Sequence, residues 1–528
     1  MESETTSQQN NENKEISNIE NNEINPETSN NNKNLNEPSN KLTLSESQPN
    51  SETDLINFKT EEQLKVDEKE KKENEEVIYS NSDKDKEKET EKKSFFQKIL
   101  SQFKAGTMVN SIFNISIISL GSGVFAIPLK VQYMTLVFTP VYVILAGIAN
   151  LFSLLMISYV VDKTNILDFF QVTYKILGKT YARILNIVII AYSYGLIILF
   201  QVMVYKLLGG IINDIGDYKY ESLNDFVEKS FWRKYSYKFI VCYGICLVIL
   251  LPFCLKKNIG EMKAPTYIGV VSLLFVILII IIQSPFFIVH YYNEIYKKDD
   301  KSTHLNVYDL SKGADKDLNI IRPFVTLFFA YTSQNALFPI IEALKDRTKK
   351  KIDKIFYISS IIDCIIYILI GILGYLTQPI DTPDLIIERK SIFKKDYFMI
   401  IGRMLLTLSL IGKIPPNYNA MRTTLLSSFG YDTNNYSNFL NCIITIPLIL
   451  ISTLITVLYQ KVGDYVDFLG SFSSIFFCFI IPGFMYIKLN QYHKYHWKNV
   501  FTVIYVAVFT ILCCISGGYT VRDIVRNA

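Results

Sequence analysis

The feature that most constrains this chain is a series of long apolar runs, which begins near residue 107 and continues almost to the last residue. A helix that crosses the apolar core of a bilayer needs about 20 mostly apolar residues. Runs of that kind lie at residues 107–129, 134–161, 182–209, 237–255, 264–289, 319–344, 355–377, 397–427, 438–460, 465–488 and 499–517. The pattern predicts an all-α polytopic membrane protein with about 11 transmembrane helices.

The first 93 residues have a different composition. They contain 24 Asp and Glu against 13 Lys and Arg, and their apolar runs never exceed three residues. Such a segment cannot bury enough apolar surface to offset the entropy lost on ordering. We therefore expect residues 1–95 to be a disordered, acidic, low-complexity tail, and residues 96–528 to form the membrane domain.

Short basic segments predict the orientation of the membrane domain, because Lys and Arg concentrate in cytosolic loops. Residues 256–263, 344–354 and 488–498 are rich in Lys and Arg, and with 11 spans all three fall on the side of the N-terminus. The loops on the other side balance their basic residues with Asp and Glu. We expect a cytosolic N-terminus, and either the plasma membrane or a vacuolar, lysosome-like membrane.

The first apolar run contains the stretch "SLGSGVFAIPL", residues 119–129, which carries two glycines and a proline. Gly weakens a helix by about 1 kcal/mol relative to Ala, and Pro removes a backbone donor. Non-helical backbone at this depth must line a cavity or be buried in protein. Gly121 and Gly123 therefore mark either a break that exposes amide groups to a ligand or a close contact between two helices.

The sixth run contains a second interruption. The polar residues 331–335, "YTSQN", lie at its centre, and Pro339 follows. The first and sixth runs are five apart, which is the separation expected for two inverted repeats of five helices. Paired interruptions in corresponding halves indicate the binding site of a transporter. Both breaks together therefore predict a site for a small polar substrate.

Ionisable residues within the runs are further candidates, since burying a charge in a membrane is costly. Asp363 and Lys413 lie deep in the seventh and eighth runs, and Asp363 is a candidate for proton handling. Tyr192, Tyr194 or Gln201 of the third run is expected to line the cavity. A set of charged residues near run ends is expected to reach the interface by extending the side chain, namely Arg183, Glu342, Arg403 and Arg422.

Five segments together resemble the amino acid/auxin permease family, which includes the sodium-coupled neutral amino acid transporters. They fall in register along spans 1, 6, 7, 8 and 10, and the resemblance covers residues 100–528. The segments are "FNISIISLGSGVFAIPL", "LFPIIEALKDRTKKK", "GILGYLTQ", "LSLIGKIPPNYNAMRTTL" and "FLGSFSSIFFCFIIPGFMYIKL".

The resemblance implies a LeuT-like fold, in which spans 1–5 and 6–10 are inverted repeats and one helix is added. It implies that the substrate carboxylate meets amides of span 1 and the amine meets carbonyls of span 6. The expected substrate-binding residues are Gly121, Ser122, Gly123, Ala330, Tyr331, Thr332, Ser333 and Tyr194.

The resemblance also bears on ion coupling. Sodium-coupled members use an Asn in span 1 and a Thr in span 8. Asn114 matches the first, but the second position holds Lys413, which puts sodium coupling in doubt. The ion or coupling candidates are therefore Asn114, Lys413 and Asp363. Either the Lys413 ammonium takes the place of the sodium ion, or the side chain faces a wet vestibule and has no part in coupling.

The function expected from these residues is alternating-access transport of amino acids, neutral or aromatic, by a sodium-independent or proton-coupled mechanism. A sensor that binds amino acids without transporting them would share the same pocket. An enzyme is disfavoured because the four histidines lie in loops or at span edges without a metal-binding pattern. A channel is disfavoured because rings of charge and a filter-like loop are missing. We expect lipid and protons as partners, and neither cofactor, metal nor nucleic acid.

Overall fold

The computed structural model describes residues 106–216, 239–256, 263–298, 320–379, 382–389, 391–393, 396–431, 436–490, 493 and 496–527. Within these ranges the chain is helical, with no strand. The predicted tail, residues 1–95, lies outside the described residues. The all-α polytopic architecture that the sequence predicts is confirmed.

Fourteen helices follow one another along the described chain. Their bounds are α1 Met108–Ser119, α2 Ile127–Met134, α3 Thr139–Thr164, α4 Phe169–Leu177, α5 Lys179–Gly216, α6 Phe239–Cys254, α7 Lys263–Lys298, α8 Arg322–Tyr331, α9 Leu337–Ala343, α10 Lys349–Thr377, α11 Tyr397–Ser428, α12 Asn438–Leu458, α13 Val462–Leu489 and α14 Trp497–Asn527.

Among the described residues, 9 spans are long and apolar enough to cross a membrane, with α8 and α9 counted as one. The pair α1 and α2, bent by 44°, adds one more if it counts as a single span. The predicted fourth span is the shorter apolar helix α6, which contains a π-helical turn at Cys246–Leu250. Its 16 residues measure about 24 Å, less than the ~30 Å of a typical hydrocarbon core.

Local signals explain several helix ends. The Thr107 hydroxyl accepts a hydrogen bond from the Asn110 amide at 3.2 Å and begins α1. The Asp168 carboxylate accepts one from the Gln171 amide at 2.6 Å and begins α4. Both are N-caps, which satisfy amides that have no partner within the helix. Gly178, at φ +97°, ends α4 in a conformation that a side chain would disfavour.

The long helices α10 and α13 pack on the two interrupted spans. Helix α10 packs on α1, α2 and α3, α13 packs on α8 and α5, and α11 packs on α5 and α7. The turns that interrupt the spans are therefore held between α3, α10 and α13, in the buried interior. This arrangement places the two breaks next to each other although they are about 200 residues apart in sequence.

Two arginines depart from the sequence-based expectation. Arg422 is fully buried, and its guanidinium donates to the Cys254 and Lys256 carbonyls at 3.0 and 3.2 Å. Arg403 is 4% exposed and donates to the carbonyls of Ile387 and of Arg389. The prediction that both side chains extend to the interface was wrong. Carbonyl groups at and just after a helix end lack partners within the helix, and each guanidinium donates hydrogen bonds to such carbonyls.

Candidate functional site

The first interruption joins α1 to α2. Helix α1 ends at Ser119, Gly121 has φ −52° and ψ −146°, and a 3₁₀ turn at Ser122–Ala126 leads into α2. Two half-helices thus replace one span, as the sequence predicts. The first amides of a helical segment have no acceptor within it, so the first amides of this turn are available as hydrogen-bond donors.

The second interruption joins α8 to α9. Helix α8 ends at Tyr331, Thr332 is extended with φ −66° and ψ 109°, and a 3₁₀ turn occupies Gln334–Ala336. All of Ala330, Tyr331, Thr332 and Ser333 are buried. The last carbonyls of α8 lack partners within the helix for the same geometric reason. Two of them find partners just beyond the helix: the Phe328 carbonyl accepts from the Thr332 hydroxyl at 2.6 Å, and the Phe329 carbonyl accepts from the Thr332 amide at 3.3 Å.

The two interruptions touch directly. A Cβ atom at Gly123 would lie 2.9 Å from the Ala330 Cα atom and 3.1 Å from the Phe329 ring. Gly123 is therefore needed for the close approach of the two breaks, which is the packing alternative left open by the sequence. At Gly121 the nearest atom to such a Cβ is the carbonyl oxygen of Ile118, at 3.3 Å. Of the two glycines, Gly121 has more open space around it.

Tyr367 of α10 joins the two breaks through hydrogen bonds. Its hydroxyl lies 2.7 Å from the Ser119 carbonyl oxygen and 2.7 Å from the Ala330 carbonyl oxygen. A phenol carries one proton, so it donates to one of these two acceptors at a time or is shared between them. Sequence reasoning missed Tyr367. It lies four residues after Asp363 on one helix face, and that spacing is the signal that could have found it.

The side chain of Gln334 fixes the second break to α3. Its Nε2 atom donates to the Asn150 Oδ1 atom at 2.7 Å and to the Ser153 hydroxyl at 3.4 Å, and its Oε1 atom accepts from the Ser333 amide. All four residues are buried. A break that exposes backbone groups in an apolar interior is tolerated because side chains such as Gln334 provide those groups with hydrogen-bond partners.

Helix α13 forms a third wall of the site. Its π-helical turn, Ile475–Ile480, places the Cys478 sulfur 3.6 Å from the Thr332 hydroxyl. π-helical turns within helices are frequent at functional sites. The Ser333 hydroxyl is buried and has no hydrogen-bond partner among the described residues. This oxygen is a polar group that a bound substrate can satisfy.

A buried ion pair ties α2 to α13. The Lys130 ammonium lies 2.6 Å from the Asp467 carboxylate, and their side chains are 6% and 2% exposed. The other oxygen of Asp467 accepts a hydrogen bond from the Thr326 hydroxyl of α8. One carboxylate thus connects the second half of span 1, the first half of span 6 and α13. No local signal in the sequence marks Lys130 and Asp467 as partners, because they are 337 residues apart.

Asp363 lies against the first half of span 1. Its side chain is 2% exposed and lies near Ser116 and Ser119, but neither its Oδ1 atom nor the Ser116 hydroxyl has a hydrogen-bond partner among the described residues. Burying a carboxylate without a counter-charge is costly. Asp363 is thus buried in the bundle, one helical turn from Tyr367.

The other two coupling candidates, Asn114 and Lys413, do not lie beside Asp363. The side chain of Asn114 is exposed on α1. Lys413 is half-buried on α11, where its Cε atom lies 3.6 Å from the position that a Cβ of Gly269 in α7 would take. The Lys413 carbonyl, near Pro415 and Pro416, accepts a hydrogen bond from the Asn417 side chain at 2.8 Å. The three residues occupy separate places in the bundle.

Tyr194 points away from the two breaks. Its hydroxyl donates to the Leu448 carbonyl of α12 at 3.1 Å. Gln201 also faces α12, where it accepts a hydrogen bond from Thr456. Tyr192 instead packs edge-on against Phe477 in the π-helical turn of α13. Residues two apart on a helix point in nearly opposite directions, so Tyr192, and not Tyr194, is the tyrosine of α5 beside the site.

The segment 382–389 covers the first break on one side. Leu385, Ile386 and Ile387 are fully buried, and the short helix Ile386–Glu388 packs on the turn Ser122–Ala126. The Lys206 ammonium of α5 holds the segment through Asp384 and Glu388, at 3.2 and 3.3 Å. Burial raises the pKa of the Glu388 carboxyl above its ordinary value, and the nearby ammonium opposes that rise.

Taken together, the fold and the two facing interruptions define a polytopic helical membrane protein with a buried polar site. Residues 104–522 match the family model described as transmembrane amino acid transporter protein. The match covers well over half of the chain, so the chain belongs to that family. The family resemblance read from the five sequence segments is thereby confirmed.

The similarity to individual proteins is lower. The chain is 26% identical over 164 residues to the sodium-coupled neutral amino acid symporter 2 of Danio rerio, a match that covers 31% of this chain and 32% of that relative. The matched part of the chain spans between about a third and a half of the length of the curated relatives it matches. Among solved structures, MhsT in complex with L-phenylalanine is 11% identical with a TM-score of 0.43, covering 78% of this chain and 98% of that one.

The contact between Gly123 and Ala330 predicts the effect of one added methyl group. Gly123→Ala forces the two breaks apart, so we expect a loss of about 1–3 kcal/mol in the free energy of unfolding. The matched control is Gly209→Ala on α5, where a Cβ meets nothing within 4 Å. Thermal unfolding of the purified protein in detergent measures both. Equal melting temperatures for the two variants would contradict the assigned contact.

Proposed function

We propose that this protein transports neutral amino acids across a membrane by alternating access, with the substrate held between the two interrupted spans. The observation that supports this proposal most directly is that the breaks face each other and share Tyr367. Helix starts carry partial positive charge and suit a carboxylate. The amides at Ser122 and Gly123 would bind the substrate carboxylate, and carbonyls at Tyr331 and Thr332 would bind its amine.

The residues of the two breaks also bear on the substrate class. The segments 119–129 and 330–338 contain no Asp, Glu, Lys or Arg. A site that selects a charged side chain needs a counter-charge, because an unpaired charge in a dry pocket is costly. The site is therefore suited to neutral side chains, and aromatic amino acids are the first subset to test.

The coupling proposed here does not use sodium. The family resemblance aligns Lys413 with a hydroxyl of the sodium-coupled members, and its ammonium would supply positive charge without an external ion. Asp363 supplies a buried carboxylate beside the first break, with one oxygen that has no partner among the described residues. Its protonation and deprotonation during the cycle is the proposed proton-coupling step.

Uptake into proteoliposomes tests the proposal. The purified full chain is supplied with radiolabelled neutral amino acids, sodium is replaced by choline, and an inward proton gradient is then imposed. We expect saturable uptake that persists in choline and rises with the proton gradient. Binding without saturable flux would contradict transport and favour an amino-acid sensor. A flux that collapses in choline would contradict the coupling alone.

Two variants test the proposed roles of Asp363 and Lys413 separately. Asp363→Asn is expected to remove the response to the proton gradient while exchange of substrate between the two sides continues, because an amide cannot release a proton. Lys413→Ala is expected to lower uptake by about tenfold, a loss of ~1.4 kcal/mol of stabilisation. Lys345→Ala, an exposed lysine before α10, is the control. Uptake by Lys413→Ala equal to that control would show that Lys413 faces solvent without a coupling role.

The orientation is part of the same proposal. The basic segments at the starts of α10 and α14 lie at the bundle end where α3 and α13 finish. We propose that this end faces the cytosol, in a plasma or vacuolar membrane, because cytosolic loops are the more basic ones. Protease accessibility of a tag at the C-terminus tests this assignment.

A further inference from the structure

A cavity of about 720 Å³ lies at the bundle end where α3 and α13 finish and α10 and α14 begin. Its lining includes none of the residues of the two interruptions, so it is distinct from the proposed substrate site. Its volume is in the range of small-molecule sites. The lining residues used below are Phe152, Met156, Tyr159, Lys163, Lys349 and Lys498.

The charge at this cavity is positive. Among the described residues that line it, Lys163, Lys349 and Lys498 carry ammonium groups and Asp353 carries one carboxylate. That carboxylate already accepts a hydrogen bond from the Ser158 hydroxyl at 2.5 Å. The three lysines come from three different helices, α3, α10 and α14. An anionic ligand is therefore the chemistry that this lining favours.

An aromatic ring brings two of these ammonium groups together. The Lys163 and Lys349 nitrogens lie 5.9 and 5.2 Å from the centre of the Tyr159 ring. The Tyr159 ring itself packs edge-on against Tyr486 of α13 at 5.1 Å. Attraction between a cation and a ring face lies within this distance range. Two basic side chains from different helices therefore meet at one aromatic ring in this cavity.

Part of the cavity wall is apolar. Phe152, Leu155, Met156 and Leu489 line it. Phe152 packs on Phe501 and Tyr505 of α14, with centroids 5.3 and 5.0 Å apart. The neighbouring Trp497 is 68% exposed, as is typical of tryptophans at a membrane interface. A polar, basic end beside an apolar wall matches a molecule with a charged headgroup and an acyl chain.

We propose that this cavity binds an anionic phospholipid with a polyanionic headgroup, of the class of phosphorylated inositol lipids. The headgroup phosphates contact the ammonium groups of Lys163, Lys349 and Lys498, and an acyl chain follows the wall formed by Phe152 and Met156. Basic pockets between transmembrane helices suit such headgroups. A lipid bound there would contact both α3, which holds Gln334, and α10, which carries Tyr367.

The test measures binding of a fluorescent short-chain phosphatidylinositol bisphosphate to the purified full chain in uncharged detergent micelles. The pocket variant combines Lys163→Gln, Lys349→Gln and Lys498→Gln. The control combines Lys345→Gln, Lys350→Gln and Lys354→Gln, three exposed lysines of the same bundle end that do not line the cavity. Both variants lose the same charge. We expect saturable binding by the wild type and the control, and a loss of roughly tenfold or more in the pocket variant.

Two results would overturn the assignment. Equal loss in both variants would mean a diffuse electrostatic attraction and no built site. Competition by the soluble inositol phosphate headgroup as strong as that of the lipid would mean a soluble-anion site, because the apolar wall would then contribute nothing. The readout is binding, so it does not depend on the proposed transport activity, and either proposal can fail without the other. Matched melting temperatures of the two variants show that the pocket variant is folded.

Discussion

Replacing Asp467 with alanine is expected to lower the free energy of unfolding by about 3–5 kcal/mol, which is the cost of leaving a buried charge without its partner. The uncompensated charge is the Lys130 ammonium, 2.6 Å from the carboxylate in the native protein. Lys130→Met should lower the free energy of unfolding by a similar amount, because it leaves the buried Asp467 carboxylate without its partner. Thermal unfolding of both single variants in detergent measures the effect.

The double variant Lys130→Met with Asp467→Leu distinguishes a lost ion pair from general damage. Replacing a buried pair by apolar residues of similar size is often neutral for stability. The Thr326 hydroxyl that loses Asp467 retains the Arg322 carbonyl, at 3.5 Å, as an acceptor. We therefore expect the double variant to melt within a few degrees of the wild type. A double variant as unstable as the sum of the two single variants would contradict the assigned coupling.

Tyr367→Phe is expected to lower amino-acid uptake by tenfold or more while the protein still inserts and folds. The change removes the one hydroxyl that contacts the Ser119 and Ala330 carbonyls, and a buried carbonyl without a partner costs about 1–3 kcal/mol. The ring remains, so the edge-on packing with Tyr331 at 4.7 Å is retained. The expected defect is in the relative position of the two breaks, and is measured as a fall in the maximal rate of uptake.

The control for that experiment is Tyr397→Phe at the start of α11, where the side chain is 63% exposed. It removes the same hydroxyl from a tyrosine outside the site and should leave uptake unchanged. Normal uptake by Tyr367→Phe would show that the two breaks keep their geometry without the shared hydroxyl. In that case the direct contact of Gly123 with Ala330 would be the main link between them.

The elements of this fold could be predicted from sequence because their signals are local. A run of about 20 apolar residues in a bilayer commonly forms a spanning helix, because every backbone group must find its hydrogen-bond partner within the segment. The breaks at Gly121–Gly123 and Tyr331–Asn335 were also visible, because Gly, Pro and a polar run weaken a helix wherever it packs. The fourth run, predicted at residues 237–255, matches α6 to within two residues at each end.

The partners of the buried polar groups could not be read from sequence. Lys130 and Asp467 are 337 residues apart, and Gln334 and Asn150 are 184 apart. Arg422 resembled other arginines near a span end, and only its position beside the carbonyls after α6 showed that it is a cap. The direction of Tyr194, away from the breaks, depended on how α5 is rotated against its neighbours.

The sequence by itself determined the membrane class, the number and order of the apolar segments and the two places where they are interrupted. Those properties follow from hydropathy and backbone propensity, which act over a few residues. The tertiary structure decided which residues satisfy the interrupted backbone: Tyr367 for the two carbonyls, Gln334 for the second break, and Lys130 with Asp467 between α2 and α13. Hydrogen bonds and ion pairs act over about 3 Å, so only the packing of distant helices decides which groups meet.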